Sequence, residues 1–107
     1  MICTFQFQHK NNDILFHCDE DGEILRRFLE SELQEDLVYT SKLLADCKSK
    51  DTVVSEITGN AYTLLINKQK FKIENQFDET EQLVGKRDYL IEILENWKAL
   101  LLSKSKL

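Results

Sequence analysis

The segment from Val53 to Phe77 constrains the fold of this chain most strongly, because it predicts three consecutive strands. Its runs are rich in Val, Ile, Thr, Tyr and Phe, and they are separated by Gly59-Asn60 and by Asn67-Lys68-Gln69-Lys70. Short polar breaks between such runs are typical of β-hairpins. In the last run Phe71 and Ile73 alternate with charged residues, which indicates a half-buried strand. A sheet of this size has one apolar face to bury, so we expect helices to cover it.

A further hairpin is predicted at the start of the chain. Residues 2 to 9 and residues 14 to 18 alternate between apolar and polar side chains, and Lys10-Asn11-Asn12-Asp13 lies between them. Asn and Asp tolerate the backbone conformations of tight turns. In such a hairpin Cys3 could lie opposite Cys18. The sequence leaves open whether this hairpin joins the later strands in one sheet.

One long helix is predicted from about Gly22 to about Lys48, because apolar residues recur there at helical spacing. The acidic residues just before it suit a helix N-terminus. Glu32 and Asp36 fall near the middle of the apolar stripe. Two interpretations follow. Either this carboxylate pair projects toward a cationic partner, or the helix has a kink near Val38-Tyr39-Thr40 and both carboxylates lie in solvent.

A final helix is predicted toward the C-terminus. It begins either at Asp78, where Asp78 and Glu81 have the spacing of a capping box, or after Gly85, which would weaken a helix interior. Trp97 lies on its apolar face and is expected in the core. The predicted order is therefore β-β-α-β-β-β-α. We expect a single α+β domain over residues 1–107, in which two helices pack against an antiparallel sheet.

Charge and composition exclude several classes of function. The net charge is -5 and the pI is about 5.0, which argues against direct binding of nucleic acid, since phosphate contacts require clustered Lys and Arg. An acidic protein of this size instead suits a basic partner. No segment approaches the roughly 20 apolar residues of a membrane span, and the first residues do not resemble a secretion signal. We therefore expect a cytoplasmic protein without membrane contact.

The residues that could perform chemistry are few. Cys3, Cys18 and Cys47 show no C-x-x-C spacing, so we expect all three to be reduced and predict no metal site, although the first two could oxidise in vitro. His9 and His17 have no nucleophile placed beside them, and no phosphate-binding or zinc-protease motif is present. We predict no enzymatic activity and no cofactor.

The segment from Gly22 to Gln76 resembles two groups of bacterial proteins. The residues that carry the resemblance are Gly22-Glu23-Ile24-Leu25, Phe28, Leu29, Glu32, Leu33, Leu37, Gly59-Asn60-Ala61-Tyr62-Thr63-Leu64 and Phe71-Lys72-Ile73-Glu74-Asn75-Gln76. This pattern is similar to that of the small family typified by YacL, and to that of immunity proteins from contact-dependent growth inhibition systems. The resemblance extends over roughly Met1 to Phe77, and the segment from Asp78 onward carries none.

The resemblance implies function by binding. Such immunity proteins are cytoplasmic, and each neutralises the C-terminal domain of a toxin, often a nuclease that cuts transfer RNA or DNA, in a one-to-one complex. These toxins are commonly basic, which agrees with an acidic inhibitor. The family supplies no contact residues, so charge and expected exposure select the candidates: Asp19, Glu20, Asp21, Glu23, Glu30, Glu32, Glu35, Asp36, Asp78, Glu79 and Glu81. The alternative for each of these residues is that it only caps a helix or keeps a helix surface solvated.

Two other classes of function stay open. The chain could be a YacL-like housekeeping protein without a toxin partner, which could form a homodimer. It could also be a small enzyme or metal binder that uses His9, His17 and the cysteines. A free sheet edge could accept a strand from a partner. Lys70 and Lys72 are side chains that discourage such pairing, so we do not expect it at their strand.

Overall fold

A computed structural model describes residues 3–8, 13–49 and 54–105 of the chain. Within these ranges the elements follow the order β-β-α-α-β-β-β-β-α, with a π-helical segment between the first two α-helices. The strands are β1 (Cys3–Gln8), β2 (Asp13–Cys18), β3 (Val54–Thr58), β4 (Tyr62–Asn67), β5 (Lys70–Asn75) and β6 (Asp78–Lys86). The helices are α1 (Gly22–Phe28), α2 (Leu37–Lys48) and α3 (Arg87–Ser105), and the π segment is Leu29–Leu33. The predicted α+β class is confirmed.

The central sheet is an antiparallel meander in the order β3-β4-β5-β6. Alternation places Leu64, Phe71, Ile73 and Leu83 on one face, where they are buried beneath the helices. The three strands predicted between Val53 and Phe77 are confirmed as β3, β4 and β5, and a fourth strand, β6, follows them in the same sheet. Lys70 and Lys72 were expected to discourage pairing at a sheet edge. However, β5 lies between β4 and β6, so these lysines are not on an edge strand.

The additional strand is β6, whose first residues had suggested a helix start. Asp78 does not cap a helix there, because its Oδ1 accepts hydrogen bonds from the N–H of Thr80 at 3.0 Å and from its hydroxyl at 2.6 Å. Pairing with β5 continues to Lys86, and α3 begins at the next residue. The capping-box interpretation of Asp78 and Glu81 is thus wrong, and the alternative that the helix starts after Gly85 is confirmed.

The predicted hairpin at the start of the chain is confirmed, and it forms a sheet separate from the meander. Phe5 and Phe16 pack against Trp97 of α3, with ring centroids 5.3 and 5.9 Å from the indole. This contact supports the expectation that Trp97 belongs to the core. The predicted turn residues 10–12, like His9 and the loop at residues 50–52, lie outside the described residues.

The register of the hairpin places Cys3 opposite Cys18, with their Cα atoms 4.2 Å apart, and a disulfide joins them. The expectation that all the cysteines are reduced is therefore wrong for this pair. Cys47 is a free thiol, and burial raises its pKa to about 11. A thiol of this kind is protonated and unreactive at neutral pH.

The predicted continuous helix from Gly22 to Lys48 is wrong. After α1 the backbone takes a π turn, in which the N–H of Gln34 donates to the carbonyl of Leu29 at 2.7 Å. Gln34 then has φ 52°, and this conformation ends the helix. Asp36 starts α2 as its N-cap by accepting a bond from the N–H of Tyr39 at 2.9 Å. The break therefore precedes the predicted kink at residues 38–40, and it separates Glu32 from Asp36.

The helices cover one face of the meander, and Arg87 fastens α2 to the start of α3. The guanidinium of Arg87 is buried and donates to the carbonyls of Cys47, Ser49 and Asn67. Some of these carbonyls lie at the C-terminus of α2, where they have no intrahelical partners. The positive charge of Arg87 therefore also interacts favourably with the negative end of the helix dipole. No described helix is both long and apolar enough to cross a lipid bilayer.

Candidate functional site

Glu32 binds the turn between β3 and β4 with its carboxylate. Its oxygens accept hydrogen bonds from the backbone N–H groups of Asn60, Ala61 and Tyr62 at 2.6, 2.7 and 3.0 Å. A carboxylate that accepts several backbone N–H bonds gains strong charge-assisted contacts. The π turn directs Glu32 to this position, so the side chain holds the helical layer to one end of the sheet.

The turn between β5 and β6 is fastened to the same end of the sheet. The N–H of Gln76 donates to the carbonyl of Ala61 at 2.8 Å, and its side-chain amide donates to the carbonyls of Gly59 at 2.8 Å and Tyr62 at 3.2 Å. The two turns therefore support each other, and Glu32 binds the β3–β4 turn.

Glu81 stands at the base of the β5–β6 turn and joins three elements. It accepts hydrogen bonds from the hydroxyl of Tyr62 at 2.7 Å, from Arg27 of α1 at 2.9 Å and from the amide of Asn75 at 3.1 Å. The bond from Tyr62 is the largest cause that lowers the pKa of Glu81, and Arg27 and Asn75 act in the same direction. Burial, assisted by the Glu81 carboxylate, raises the pKa of Tyr62 to about 12. The pair is thus carboxylate and neutral phenol at physiological pH.

Phe77 is displayed at the tip of this braced turn. Its backbone N–H donates to Asn75 Oδ1 at 2.8 Å, while 83% of the residue is exposed to solvent. Asp78 and Glu79 follow it directly, and the bonds from Thr80 hold the pKa of Asp78 below its ordinary value. A rigid turn thus presents an aromatic ring beside carboxylates, which we call the Phe77 turn (Gln76, Phe77, Asp78 and Glu79).

The carboxylates predicted to contact a partner fall into three groups in the structure. The first group holds backbone or core contacts, and it consists of Asp19, Glu32, Asp36, Asp78 and Glu81. The second group forms ion pairs, in which Glu23 and Glu30 share Arg26 and Glu35 pairs with Lys104. The third group has no intramolecular partner among the described residues, and it consists of Glu20, Asp21 and Glu79.

The opposite end of the meander is cationic. Lys70 lies opposite Lys86 in the ladder, and Lys68 belongs to the adjacent turn. None of the three forms an ion pair with the described residues. Like charges opposite each other destabilise a sheet slightly. The two ends of the sheet therefore carry opposite charges. Carboxylates surround the Phe77 turn at one end, and ammonium groups lie around the β4–β5 turn at the other end.

Phe77 and Arg87 are not among the residues that the sequence pattern predicts to be important. The sequence pattern places Phe77 at the end of the last predicted strand, although Asn75 before it and Asp78 after it are residues that favour turns. Arg87 carried no local signal, because its carbonyl partners are 20 to 40 residues away in the chain. In the described part of the chain no group of three or more His, Cys, Asp and Glu side chains is placed to hold a metal ion.

Comparison with known protein families, curated proteins and solved structures finds no match for this chain. The fold and the site therefore define a broad class, a small α+β domain that displays an aromatic side chain on a braced acidic turn.

Proposed function

We propose that this chain is an immunity protein that binds and neutralises the C-terminal nuclease domain of a contact-dependent growth inhibition toxin. The expected toxin is a transfer-RNA nuclease, bound in a one-to-one complex in the cytoplasm. The proposal rests on the resemblance carried by residues 22–76 and on the net charge of -5. In this proposal the chain acts by binding, without catalysis or a cofactor.

The observation that carries the proposal is the exposure of Phe77 on a turn that cannot easily rearrange. Single exposed apolar residues are common on protein surfaces. Phe77 differs because the bonds of Gln76 and Asn75 fix the backbone beneath it, so binding would order little new structure. Preorganised aromatic residues contribute a large part of the affinity at many interfaces.

The neighbouring charges suit a basic partner. A phenyl ring can contact an Arg or Lys of a nuclease through a cation–π interaction, and Asp78 and Glu79 can pair with further cations. Glu79 is free of intramolecular partners among the described residues. Because the far end of the sheet is cationic, a basic toxin is attracted to the Phe77 turn and repelled from Lys70 and Lys86.

Six of the eleven candidate carboxylates can be assigned as contacts or as supports. We assign Glu20, Asp21 and Glu79 as direct contacts, because no described cation neutralises them. Glu32, Asp36 and Glu81 are assigned as supports, since their oxygens are already bonded within the chain. Substitution of a support would lower folding stability as well as protection.

The first experiment is growth rescue. The C-terminal domain encoded by the neighbouring upstream reading frame is expressed with and without this protein, and viability and transfer-RNA integrity are followed together. Rescue with intact transfer RNA supports the proposal. Rescue with intact transfer RNA in both cultures would keep the immunity role but indicate that the toxin has a different target. If the neighbouring domain is harmless, or kills cells whether or not this protein is present, the housekeeping alternative is favoured.

The second experiment tests the placement of the site. Phe77→Ala is expected to weaken toxin binding at least about tenfold, the loss of a hot-spot aromatic. Val38→Ala is the matched control, since Val38 is 81% exposed elsewhere on the surface. Glu79→Lys is expected to slow association at low salt, whereas Lys70→Glu at the far end is expected to leave it unchanged or to speed it. Rescue that persists unchanged in Phe77→Ala would retain the immunity role and reject the Phe77 turn.

A further inference from the structure

The face of the meander that the helices leave uncovered carries a groove of about 350 Å³. Strand alternation places Leu65, Lys72 and Val84 on this face, in register with one another on β4, β5 and β6. Leu65 and Val84 form the two walls, which are two strand spacings or roughly 10 Å apart. Val84 is 54% exposed, so an apolar wall faces solvent. We call this feature the Leu65–Val84 groove.

Lys72 contributes its aliphatic stem to the groove and not its charge. Its Nζ pairs with Glu74 Oε1 at 2.7 Å, and Glu74 lies two residues further along the same strand. The ammonium group is therefore neutralised, and it is drawn toward the acidic end of the sheet. Lysine stems commonly pack along apolar surface in this way. The middle of the groove thus presents aliphatic carbon to a ligand and carries no net charge.

One end of the groove carries two ammonium groups that lack a described partner. Lys70 lines the groove and lies directly opposite Lys86 in the ladder between β5 and β6. Neither forms an ion pair with a described residue, although the chain has 19 acidic and 14 basic residues. Like charges opposite each other destabilise a sheet. A bound anion would remove this repulsion, so the charges at this end favour an anionic ligand.

We propose that the Leu65–Val84 groove binds a free fatty acid. The aliphatic tail lies between Leu65 and Val84, and the two carboxylate oxygens pair with the ammonium groups of Lys70 and Lys86. Sites for small molecules have volumes of about 300–1,000 Å³, with mostly apolar walls and a few polar groups that orient the ligand. The groove lies at the lower end of this range, which fits a tail of medium length.

The dimensions and the charges favour this ligand over a macromolecule. A partner helix is roughly 10–12 Å across with its side chains, so it is too wide to enter between the two walls. Nucleic acid requires a larger cluster of cations than the pair at this end of the groove. An acyl chain with a single anionic head matches both the narrow apolar channel and its cationic end.

This groove is separate from the Phe77 turn, so the proposal does not depend on the proposed function. Lys70 and Lys86 lie at the end of the sheet opposite the turn between β5 and β6. Phe77→Ala is expected to leave fatty-acid binding unchanged. Loss of fatty-acid binding and loss of toxin binding can therefore be measured independently.

The test is the binding of decanoate, below its micellar concentration, to the purified protein by isothermal titration calorimetry. Acetate has the same head without the tail, and decyltrimethylammonium has the same tail with the opposite charge. Decanoate is expected to bind at least about tenfold more tightly than either. Equal binding of acetate would show that only an ion binds, and equal binding of decyltrimethylammonium would show that only the tail binds. Either result would overturn the proposal.

Two substitutions test the placement of the ligand. Lys70→Glu is expected to weaken decanoate binding at least about tenfold. It also replaces the like-charge pair with an opposite-charge pair to Lys86, so the fold should become more stable and misfolding cannot explain the loss. Val84→Ser removes one exposed apolar wall and is expected to weaken binding at least about threefold. Lys42→Glu, at an exposed position of α2, is the control and should bind like the wild type.

Unchanged affinity in Lys70→Glu, or a wild type that does not bind decanoate, would overturn the proposal. Three further measurements identify other occupants, and each positive result would also overturn it. Binding to phosphatidylglycerol vesicles without binding of free decanoate would indicate a membrane surface. Tighter binding of an oligoglutamate peptide than of decanoate would indicate an acidic protein segment. Self-association that Lys70→Glu abolishes would indicate a second copy of this chain.

Discussion

The carboxyl carbon of Glu32 would lie only 2.6 Å from a β-carbon placed on Gly59, and its Oε2 would lie closer still. The carboxylate approaches this closely because it reaches over Gly59 to the N–H groups of Asn60 and Ala61. No glycine of the described chain adopts a positive φ. Glycine is therefore needed at position 59 for the close approach of Glu32 and not for an unusual backbone conformation.

The first prediction is that Gly59→Ala destabilises the fold only while Glu32 is present. The added methyl group would displace the carboxylate and break its bonds to the β3–β4 turn, at a cost of about 2 kcal/mol. In a Glu32→Ala background the same substitution should be nearly neutral. Urea denaturation of the two single variants and the double variant measures the coupling. Additive effects would show that the clash does not determine the choice of glycine.

The second prediction concerns the pH dependence of stability through Tyr62 and Glu81. The pKa of Glu81 is lowered in the folded state, so its stabilising contribution is present above its ordinary value of 4.5 and is lost as the pH falls. The pKa of Tyr62 is raised to about 12, so the neutral phenol stabilises the fold below its ordinary value of 10.0 and this contribution is lost as the pH rises toward 12.

Two variants separate the acid limb of the stability–pH curve, where stability falls as the pH falls, from its alkaline limb, where stability falls as the pH rises. Glu81→Gln should flatten the acid limb and reduce the alkaline one, because an amide cannot ionise and repels a phenolate less. Tyr62→Phe should remove the alkaline limb that Tyr62 contributes, while Glu81 retains Arg27 and therefore part of its acid limb. Chemical denaturation from about pH 3 to pH 12 measures both. Acid limbs of equal slope in Glu81→Gln and the wild type would contradict the assignment.

The third prediction is that Gln34→Gly stabilises the protein. Gln34 has φ 52° and ψ -141°, a region that favours glycine, and its carbonyl is retained in any variant to accept the bond from Trp97 Nε1. Relief of about 1–3 kcal/mol of strain should exceed the roughly 0.5–1 kcal/mol that glycine adds to unfolded-chain entropy. Lys42→Gly, at an exposed position of α2, is the control and should destabilise by about 1 kcal/mol. Equal losses in the two variants would argue against strain at Gln34.

The fourth prediction is that Arg87→Met destabilises the fold by about 3 kcal/mol, because it leaves buried carbonyls at the end of α2 without donors. Arg87→Lys should recover only part of this stability, since an ammonium group cannot reproduce the planar fork of donors. The exposed neighbour Lys86 provides the control, and Lys86→Met should lie within about 0.5 kcal/mol of the wild type. Thermal and urea unfolding measure all three. Full recovery by lysine would show that charge alone matters at this position.

Local patterns in the sequence were sufficient for much of the fold. The alternation of Phe71 and Ile73 with charged residues identified β5, and the same rule identified the hairpin of β1 and β2. Helical spacing placed Trp97 on a buried face. Each of these inferences succeeded because the period of the apolar side chains is imposed by the backbone geometry of the element itself.

Local patterns failed where a distant partner decides the conformation. The sequence of β6 begins with polar residues, and its strand forms because β5 supplies the backbone hydrogen bonds. The helix breaks at Gln34, whose carbonyl is bonded to Trp97, 63 residues further on. The prediction of the candidate site was incomplete for the same reason. Acidic residues were identifiable, but the sequence could not separate Glu32, which supports a turn, from Glu79, which has no described partner.

The sequence by itself therefore determined the α+β class, the acidic character and most of the strands and helices of this protein. Those properties depend on composition and on short-range periodicity. The tertiary structure alone decided which carboxylates are bonded, that Phe77 is exposed and that the hairpin of β1 and β2 forms a sheet of its own. These properties depend on contacts between residues tens of positions apart, such as Glu32 and Asn60, which are separated by 28 positions. Local propensity does not encode such contacts, because they form only when the elements pack.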